Sequence, residues 1–202
     1  MKPVDVHCVS LVCYAFQKYI YNNQESKYGI FVLESDSFSI SRSLNSKFNN
    51  LTIQLAQDNG WTFDKMNKNL EWLNSNMKNK IELHYNEYKN VIPKMGKVHL
   101  DYACICSGWV KNKHIIERRF QKQYYASSSL LVLTISRQEQ HVQCILQDLY
   151  AMAINNNYVI KPLTISQLDP TYSCPNFKEF DNECICFSYE STYTLIMYIH
   201  SV

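Results

Sequence analysis

Glycine is scarce in this chain and makes up only 4 of its 202 residues. Loops that cradle a phosphate group need closely spaced glycines, because a residue without a Cβ atom lets the backbone turn tightly and approach the ligand. Neither G-x-G-x-x-G nor G-x-x-x-x-G-K-S/T occurs in the sequence. The sequence therefore contains no motif for a dinucleotide or a nucleoside triphosphate.

The chain also lacks a strong charge bias and a long apolar run. Its 20 basic and 18 acidic residues give a formal net charge of +2, so long-range attraction to nucleic acid or to an acidic membrane is not expected. No apolar run approaches the roughly 18 residues of a membrane-spanning helix, and the polar start shows no signal peptide. We expect a protein of the cytoplasm, without a membrane partner.

Cysteine and tyrosine are abundant, with 8 and 15 residues. The tripeptide Cys-Ile-Cys occurs twice, at 104–106 and at 184–186. Residues two apart in a strand share a face, but one intervening residue splays the two sulfurs too far apart for a good tetrahedral zinc chelate. Free cysteine packs like a small hydrophobic residue. We predict that both pairs are reduced and fill the core, with a metal site or disulfides as the alternatives.

The first half of the chain predicts two strands followed by two helices. Segments 6–16 and 28–33 are rich in β-branched and aromatic residues, which is typical of strands. Apolar residues spaced three and four apart over 40–55, and again over 66–88, predict two amphipathic helices.

The second half predicts mainly strands. A polar loop at 111–113 joins two apolar segments and favours a hairpin, and a nearly uninterrupted apolar run at 129–136 is typical of a central strand. A capping box, Ser136 to Glu139, predicts the start of a helix. The predicted elements are strands at 98–110, 114–125, 129–136 and 158–166, a helix at 142–152, and a terminal hairpin at 183–189 and 193–200.

This order of elements predicts an α+β fold with a largely antiparallel sheet or sandwich. Two helices would be inserted after the first strands, over about 38–92, and a third helix would follow the central strand. We expect residues 1–202 to form a single domain.

One candidate binding site is a basic and aromatic hairpin after residue 110. Sheets that bind single-stranded nucleic acid stack bases on aromatic side chains and hold phosphates with lysine or arginine. The alternative is a solvated sheet edge, where lysine discourages aggregation. The candidate nucleic-acid-binding residues are Lys111, Lys113, Arg118, Arg119, Phe120, Lys122 and Tyr124.

A second candidate site, for a small hydrolase or nuclease, lies around His99, Asp101 and Tyr102. In a strand His99 and Asp101 share a face, so the carboxylate could orient the imidazole. Cys104 would lie on the opposite face from His99, which disfavours a cysteine–histidine enzyme. We therefore assign no catalytic residue, no metal ligand and no cofactor.

The order of elements resembles that of polyhedrin, the protein of insect cypoviruses that crystallises around virions in infected cells. The similar elements are the hairpin with a charged tip at 97–125, the apolar strand at 130–136, the helix at 142–155 and an early strand pair at 9–33. The leading helix of that family has no counterpart here, because a strand is predicted from Val6.

The resemblance implies a non-enzymatic viral structural protein that self-assembles, in its sharpest form into a protective occlusion-body crystal. It implies a homo-oligomer or lattice, a virion or host protein as partner, and the cytoplasm of an infected cell as location. The alternatives are a viral accessory protein that binds nucleic acid or a host protein through the basic hairpin, and the hydrolase or nuclease at His99.

Overall fold

A computed structural model describes the structure of most of the chain. The described residues are 6–22, 25–33, 37–57, 60–85, 96–105, 108–136, 142–164, 167, 186–189 and 192–202. In this part of the chain helices and strands alternate for most of the length. The elements are α1 (Val6–Tyr19), β1 (Tyr28–Val32), α2 (Ser39–Lys47), β2 (Leu51–Gln57), α3 (Gly60–Asn74), β3 (Ile81–Tyr85), β4 (Val98–Ile105), α4 (Trp109–Gln121), β5 (Tyr125–Ser136), α5 (Val142–Ile154), β6 (Tyr158–Pro162), β7 (Cys186–Tyr189) and β8 (Thr192–Ser201).

The strands form one mostly parallel sheet. Its order is β3-β2-β1-β4-β5-β8-β6, and the short β7 pairs with β8 beside this path. Strands β1 to β5 run parallel to one another. Among the strands of the described residues, β8 is the one that runs the other way, because it pairs antiparallel with both β5 and β6.

The predicted antiparallel sheet or sandwich is therefore wrong. Parallel neighbours must be joined by a crossover, usually a helix, but the crossover helix between β4 and β5 was predicted as a hairpin, and the helix that precedes β1 was predicted as a strand. The strand predicted at 6–16 is α1, and the hairpin predicted around 111–113 is the single helix α4. The segment predicted as a helical insertion, about 38–92, also contains two strands of the sheet, β2 and β3.

Helix α1 shows why the first of these predictions failed. Its buried residues Val9, Val12, Cys13 and Phe16 are spaced three, one and three apart, as one face of a helix requires. The same segment is also rich in valine and leucine, so its composition favours a strand while its period favours a helix. A short apolar segment cannot be assigned by composition alone.

Buried asparagines stop the helical pattern after α2. The Asn79 side chain donates to the backbone oxygen of Phe48 at 2.9 Å and accepts from the backbone N–H of Leu51 at 2.9 Å. The Asn45 side chain accepts from the backbone N–H of Asn79 at 3.0 Å. These bonds satisfy the backbone where the chain leaves α2 and enters β2, so the apolar spacing over 40–55 spans a helix and a strand.

The helices cover both faces of the sheet. One core cluster lies between the sheet and α1, α2 and α3, and the other lies between the sheet and α4 and α5. Residues alternate between these clusters along the central strands: Leu130 and Val132 belong to the first, whereas Leu131 and Leu133 belong to the second. Within the described residues, no helix combines the length and the hydropathy needed to cross a membrane.

A buried ion pair ties α4 to the middle of the sheet. Arg119 of α4 forms a salt bridge with Asp101 of β4, and their side chains are 3% and 0% exposed. The hydroxyl of Tyr125 donates to the same Asp101 carboxylate at 3.0 Å, and the guanidinium lies 5.4 Å from the ring centroid of Phe31. Burial, followed by the Asp101 charge, raises the pKa of Tyr125 well above its ordinary value. The phenol is therefore a neutral donor.

A buried histidine makes stability depend on pH. The backbone N–H of Gly29 donates to Nδ1 of His99 at 3.0 Å, which requires that nitrogen to be unprotonated. Burial lowers the pKa of His99 below 6.5. The unfolded chain takes up this proton near pH 6.5 and the folded chain only at lower pH. The free energy of unfolding contributed by His99 is thus present above pH 6.5 and falls as the pH drops through the folded pKa.

We expect urea denaturation to show lower stability at pH 5.5 than at pH 7.5, and His99→Gln to make this decline smaller. Glutamine can still accept a hydrogen bond but does not titrate. The control is His114→Gln, on the exposed face of α4. An unchanged decline in His99→Gln would show that another group causes it.

Candidate functional site

The candidate site lies at the carboxyl edge of the sheet, between β1 and β4. From β1 the chain continues through α2 to β2 on one side, and from β4 through α4 to β5 on the other side. The backbone N–H of Leu33 donates to the oxygen of Tyr102 at 2.9 Å where β1 ends. In open α/β sheets, ligands bind in the crevice outside the carboxyl ends of the strands, where the strand order reverses.

Residues 37–39, which lead into α2, form the first wall of this crevice. Phe38 precedes α2 with φ 51° and ψ 34°, a left-handed conformation that is rare for a bulky residue. Its side chain is 1% exposed and belongs to the core between the sheet and α1 to α3, which holds the turn in place. The hydroxyls of Ser37 and Ser39 are 3.0 Å apart beside the first turn of α2. Strained backbone of this kind concentrates at ligand sites.

An aromatic surface lies where β2 and β3 end. The ring of Tyr85, at the end of β3, lies 5.1 Å from the ring of Phe63 and is 61% exposed. A Cβ atom on Gly60 would lie 3.5 Å from the Tyr85 hydroxyl, so the phenol reaches the first residue of α3. The structure thus places an accessible aromatic side chain beside the N-terminus of a helix. Sequence analysis missed this site because it assigned Tyr85 to a helix.

Hydrogen bonds hold the start of α4, which follows β4, in place. Gly108 takes φ 100°, which a side chain would disfavour, and α4 begins at the next residue. The indole Nε1 of Trp109 donates to the Asp148 carboxylate at 2.8 Å, and Lys113 Nζ donates to the same oxygen at 3.2 Å. Because Asp148 belongs to α5, these bonds hold the start of α4 against α5.

Hydroxyl groups connect three strands near the carboxyl edge. The hydroxyls of Tyr102 and Thr134 are 3.2 Å apart, and those of Thr134 and Thr194 are 3.0 Å apart. These residues lie on β4, β5 and β8. Since the hydroxyls bond to one another across the strands, they support the base of the crevice.

Together, the carboxyl edge from β3 to β1, which leads into the crevice, presents an exposed aromatic ring, serine hydroxyls and the first turns of α2 and α3. Helix N-termini carry unpaired N–H groups and a partial positive charge, which favour carboxylates and hydroxyl oxygens. An aromatic ring favours a planar base. The arrangement suits a ligand that combines a base with a polar or anionic tail.

The structure separates the residues of the predicted basic hairpin. Arg119 is paired with Asp101, Phe120 is fully buried in the core, and Lys113 is paired with Asp148 at 3.2 Å. Tyr124 is half-buried. Lys111, Arg118 and Lys122 are exposed. A nucleic-acid site that stacks bases on Phe120 is excluded, because its ring faces the core, and the accessory-protein interpretation through a hairpin is wrong because no hairpin forms there.

The predicted hydrolase or nuclease site is also wrong. Asp101 is occupied by Arg119 and Tyr125, and His99 accepts from the backbone of Gly29. Tyr102 lies on the opposite face of β4 and belongs to the core cluster between the sheet and α1, α2 and α3. Asp101 and His99 are thus both engaged in contacts that stabilise the fold.

The prediction for the twin Cys-Ile-Cys segments concerns residues largely outside those described. Cys106 and Cys184 lie outside, and β4 and β7 are separated by β5 and β8. Among the described residues, Cys13 is a free, buried thiol whose pKa is raised to about 11 by burial. No group of three or more metal-ligating side chains occurs in the part of the chain described here. Core packing of the twin pairs stays a prediction.

Comparisons with known proteins show the fold. No protein-family model and no curated protein sequence matches the chain. The plantazolicin methyltransferase BpumL in complex with SAH superposes with a TM-score of 0.63 at 10% identity, over 97% of this chain and 84% of that one. Magnesium protoporphyrin IX methyltransferase from Synechocystis PCC 6803 with bound SAM gives 0.62 at 9% identity, over 98% and 79%. An rRNA methylase from Streptococcus thermophilus gives 0.58 at 11% identity, over 100% and 99%.

These similarities correct the resemblance to polyhedrin. Almost the whole chain superposes on Rossmann-like methyltransferase structures with a mostly parallel sheet. The resemblance depended on a hairpin at 97–125 and an early strand pair, and both contain a helix. The interpretation as a self-assembling viral structural protein that forms occlusion bodies is therefore wrong. Whether the chain forms a homo-oligomer stays a prediction.

Proposed function

We propose that this protein is a methyltransferase that uses S-adenosylmethionine. The observation that carries the proposal is the sheet, with parallel strands β1 to β5, the antiparallel strand β8 and a crevice between β1 and β4. Three similar structures with this fold are methyltransferases, and two of them hold SAM or SAH. Because fold alone does not determine function, the support must also come from the residues of the crevice.

The chemistry of those residues fits the cofactor. The exposed ring of Tyr85 suits adenine, and the N-terminus of α3 beside it suits the ribose hydroxyls. Ser37, Ser39 and the N-terminus of α2 suit the carboxylate of the amino-acid part. In the sequence Asp58 directly follows β2, about 20 residues beyond the turn after β1, where dinucleotide-binding folds place an acidic residue for the ribose. Asp58 lies outside the described residues.

The turn after β1 departs from the usual cofactor-binding pattern. No glycine occurs between Gly29 and Gly60, so every residue of the turn carries a Cβ atom. Phe38 takes the left-handed conformation that glycine normally takes in such turns. We therefore propose that serine hydroxyls hold the amino-acid part of the cofactor, in place of a bare glycine backbone.

When bound, the cofactor would supply a methyl group attached to a positively charged sulfur, for transfer to a nucleophilic atom of the acceptor. The role of this chain is to orient the two reactants and to exclude water. The bonds from Trp109 and Lys113 to Asp148, and the row of hydroxyls across β4, β5 and β8, keep the walls of the crevice in fixed positions.

The test of this proposal is binding of the cofactor product. We expect the full chain to bind SAH in isothermal titration calorimetry, and Tyr85→Ala to weaken binding about tenfold or more, since base stacking contributes about 1–3 kcal/mol. Transfer of radioactive methyl from labelled SAM to an RNA or peptide acceptor would identify the acceptor class.

The matched control is Tyr150→Ala, on α5, where the tyrosine is 37% exposed and away from the crevice. This variant should bind SAH as the unchanged protein does. A chain that folds but does not bind SAH, or a Tyr85→Ala variant with unchanged affinity, would contradict the proposal.

A further inference from the structure

We propose that the exposed face of α3 binds a single-stranded nucleic acid, which would be the methyl acceptor. The α3 stripe, as we name it, consists of Trp61, Lys65, Lys68 and Trp72. The part of the inference that names the acceptor rests on the proposed function. The binding of the nucleic acid to α3 is independent of the proposed function.

The four residues of the α3 stripe lie on one side of the helix. Their spacings of four, three and four bring them into one row at 3.6 residues per turn. The buried residues of α3 are Met66, Leu70 and Leu73, on the opposite side. The row therefore faces solvent along the length of the helix.

Both tryptophans are accessible to a ligand. Trp61 is 76% exposed and Trp72 is 66% exposed. Tryptophan is enriched at recognition surfaces relative to the rest of the protein surface. Lys65 Nζ lies 5.8 Å from the ring centroid of Trp61, so a ligand would contact a cation and an aromatic ring side by side.

A nucleic acid strand suits this row better than a protein does. Bases of any sequence stack on aromatic side chains, and lysines hold the phosphates between them. Trp61 and Trp72 are separated by about 16 Å along the helix, which is the length of about five stacked nucleotides at ~3.4 Å each. The central part of a protein interface is depleted in lysine, whereas lysines occupy the centre of the α3 stripe.

The charges around the stripe indicate where the strand would lie. Glu71 of α3 and Glu82 of β3 line a groove of about 380 Å³ between the two elements, together with Lys80, and exposed Asp64 lies two helical turns before Glu71 on the same side of α3. The three carboxylates outnumber Lys80 on that side, so phosphates would favour the other side of the stripe. Exposed Asn69 is on the other side of the stripe and carries no charge.

The stripe begins beside the candidate site. Trp61 lies in the first turn of α3, directly after Gly60, which the Tyr85 hydroxyl approaches at the carboxyl edge. A strand with one base on Trp61 would therefore place a neighbouring nucleotide close to the crevice. This position links the binding surface to the proposed methyl transfer.

The experiment measures fluorescence anisotropy of a labelled 12-nucleotide oligouridylate mixed with the full chain at low salt. We expect Trp61→Ala and Trp72→Ala each to weaken binding about tenfold, because each removes one stacking surface. The double variant Lys65→Gln/Lys68→Gln should weaken binding and lower the slope of log affinity against log salt by about 1.4, which is ~0.7 per lysine.

The matched control is Lys111→Gln/Arg118→Gln, which removes two exposed basic residues from α4, where no aromatic side chain is exposed beside them. This variant should bind the oligonucleotide within about twofold of the unchanged protein. Equal weakening by the α4 and α3 variants would overturn the proposal, since it would indicate attraction to any basic surface.

Two further outcomes would overturn the proposal. One is the absence of oligonucleotide binding at low salt. The other is a complex between chains in sedimentation that Trp72→Ala dissociates, because the stripe would then be a protein interface. SAH titration of the same samples separates the two proposals. If the oligonucleotide binds to the α3 stripe but SAH does not bind, only the methyltransferase proposal is refuted. If SAH binds but the oligonucleotide does not, only the nucleic-acid site is refuted.

Discussion

Replacing Arg119 by methionine is expected to lower the free energy of unfolding by about 3–5 kcal/mol, because the change leaves the Asp101 carboxylate buried without its cation. Both side chains are almost completely inaccessible, and the Tyr125 hydroxyl at 3.0 Å cannot supply a charge. The measurement is urea denaturation at pH 7.5 monitored by circular dichroism. We expect the slope of the transition to be unchanged and its midpoint to fall.

Two variants test the physical cause. Lys113→Met removes the cation from the Asp148 pair, whose side chains are 42% and 30% exposed, and should cost less than about 1 kcal/mol. The double variant Asp101→Leu/Arg119→Met removes both buried charges and should be more stable than Arg119→Met alone. A loss below about 1 kcal/mol in Arg119→Met would show that the pair does not hold α4 to the sheet.

Gly29→Ala is expected to destabilise the protein by about 3 kcal/mol, the upper part of the usual range for an inserted methyl group. A Cβ atom at this position would overlap the backbone oxygen of Lys97, a contact that real structures do not contain. The obstacle is backbone beside the first residues of β4, where the register shifts between Val98 and Leu100. Relief of the clash requires β1 and β4 to move apart.

Gly60→Ala is the control for this substitution. Its Cβ atom would meet the Tyr85 hydroxyl at 3.5 Å, which is an ordinary contact, and alanine favours helix over glycine. Its stability should therefore be unchanged or slightly higher in thermal denaturation. Equal losses in the two variants would mean that lost glycine flexibility, and not the contact with Lys97, causes the effect.

Sequence analysis predicted an element correctly where its amino-acid composition and its hydrophobic period indicate the same type of secondary structure. The strand at 28–33 is present as β1, the apolar run at 129–136 lies within β5, and the helix at 142–152 is α5. The predictions failed where the two signals disagree. Ile115, Ile116 and Phe120 are buried on one face of α4, yet their β-branched and aromatic character favoured a strand.

The candidate site was hidden for a related reason. Scarce glycine excludes the known phosphate-cradling motifs, and the turn after β1 indeed has none. That absence says nothing about whether the strands around the turn run parallel. Tyr85 was assigned to a helix because its spacing from Met77 and Ile81 is helical, whereas the bond of Asn74 to the backbone of Ile81 at 2.9 Å marks the end of α3 and the start of β3.

The sequence by itself determined which residues are apolar enough to be buried, where several elements begin, and which binding motifs are absent. Only the tertiary structure decided that the strands run parallel, that their order reverses between β1 and β4, and that Tyr85 and Trp61 lie at the same edge. The physical reason is that strand order and direction depend on pairing between distant segments, such as Ile30 with Leu100. Local propensity contains no information about those partners.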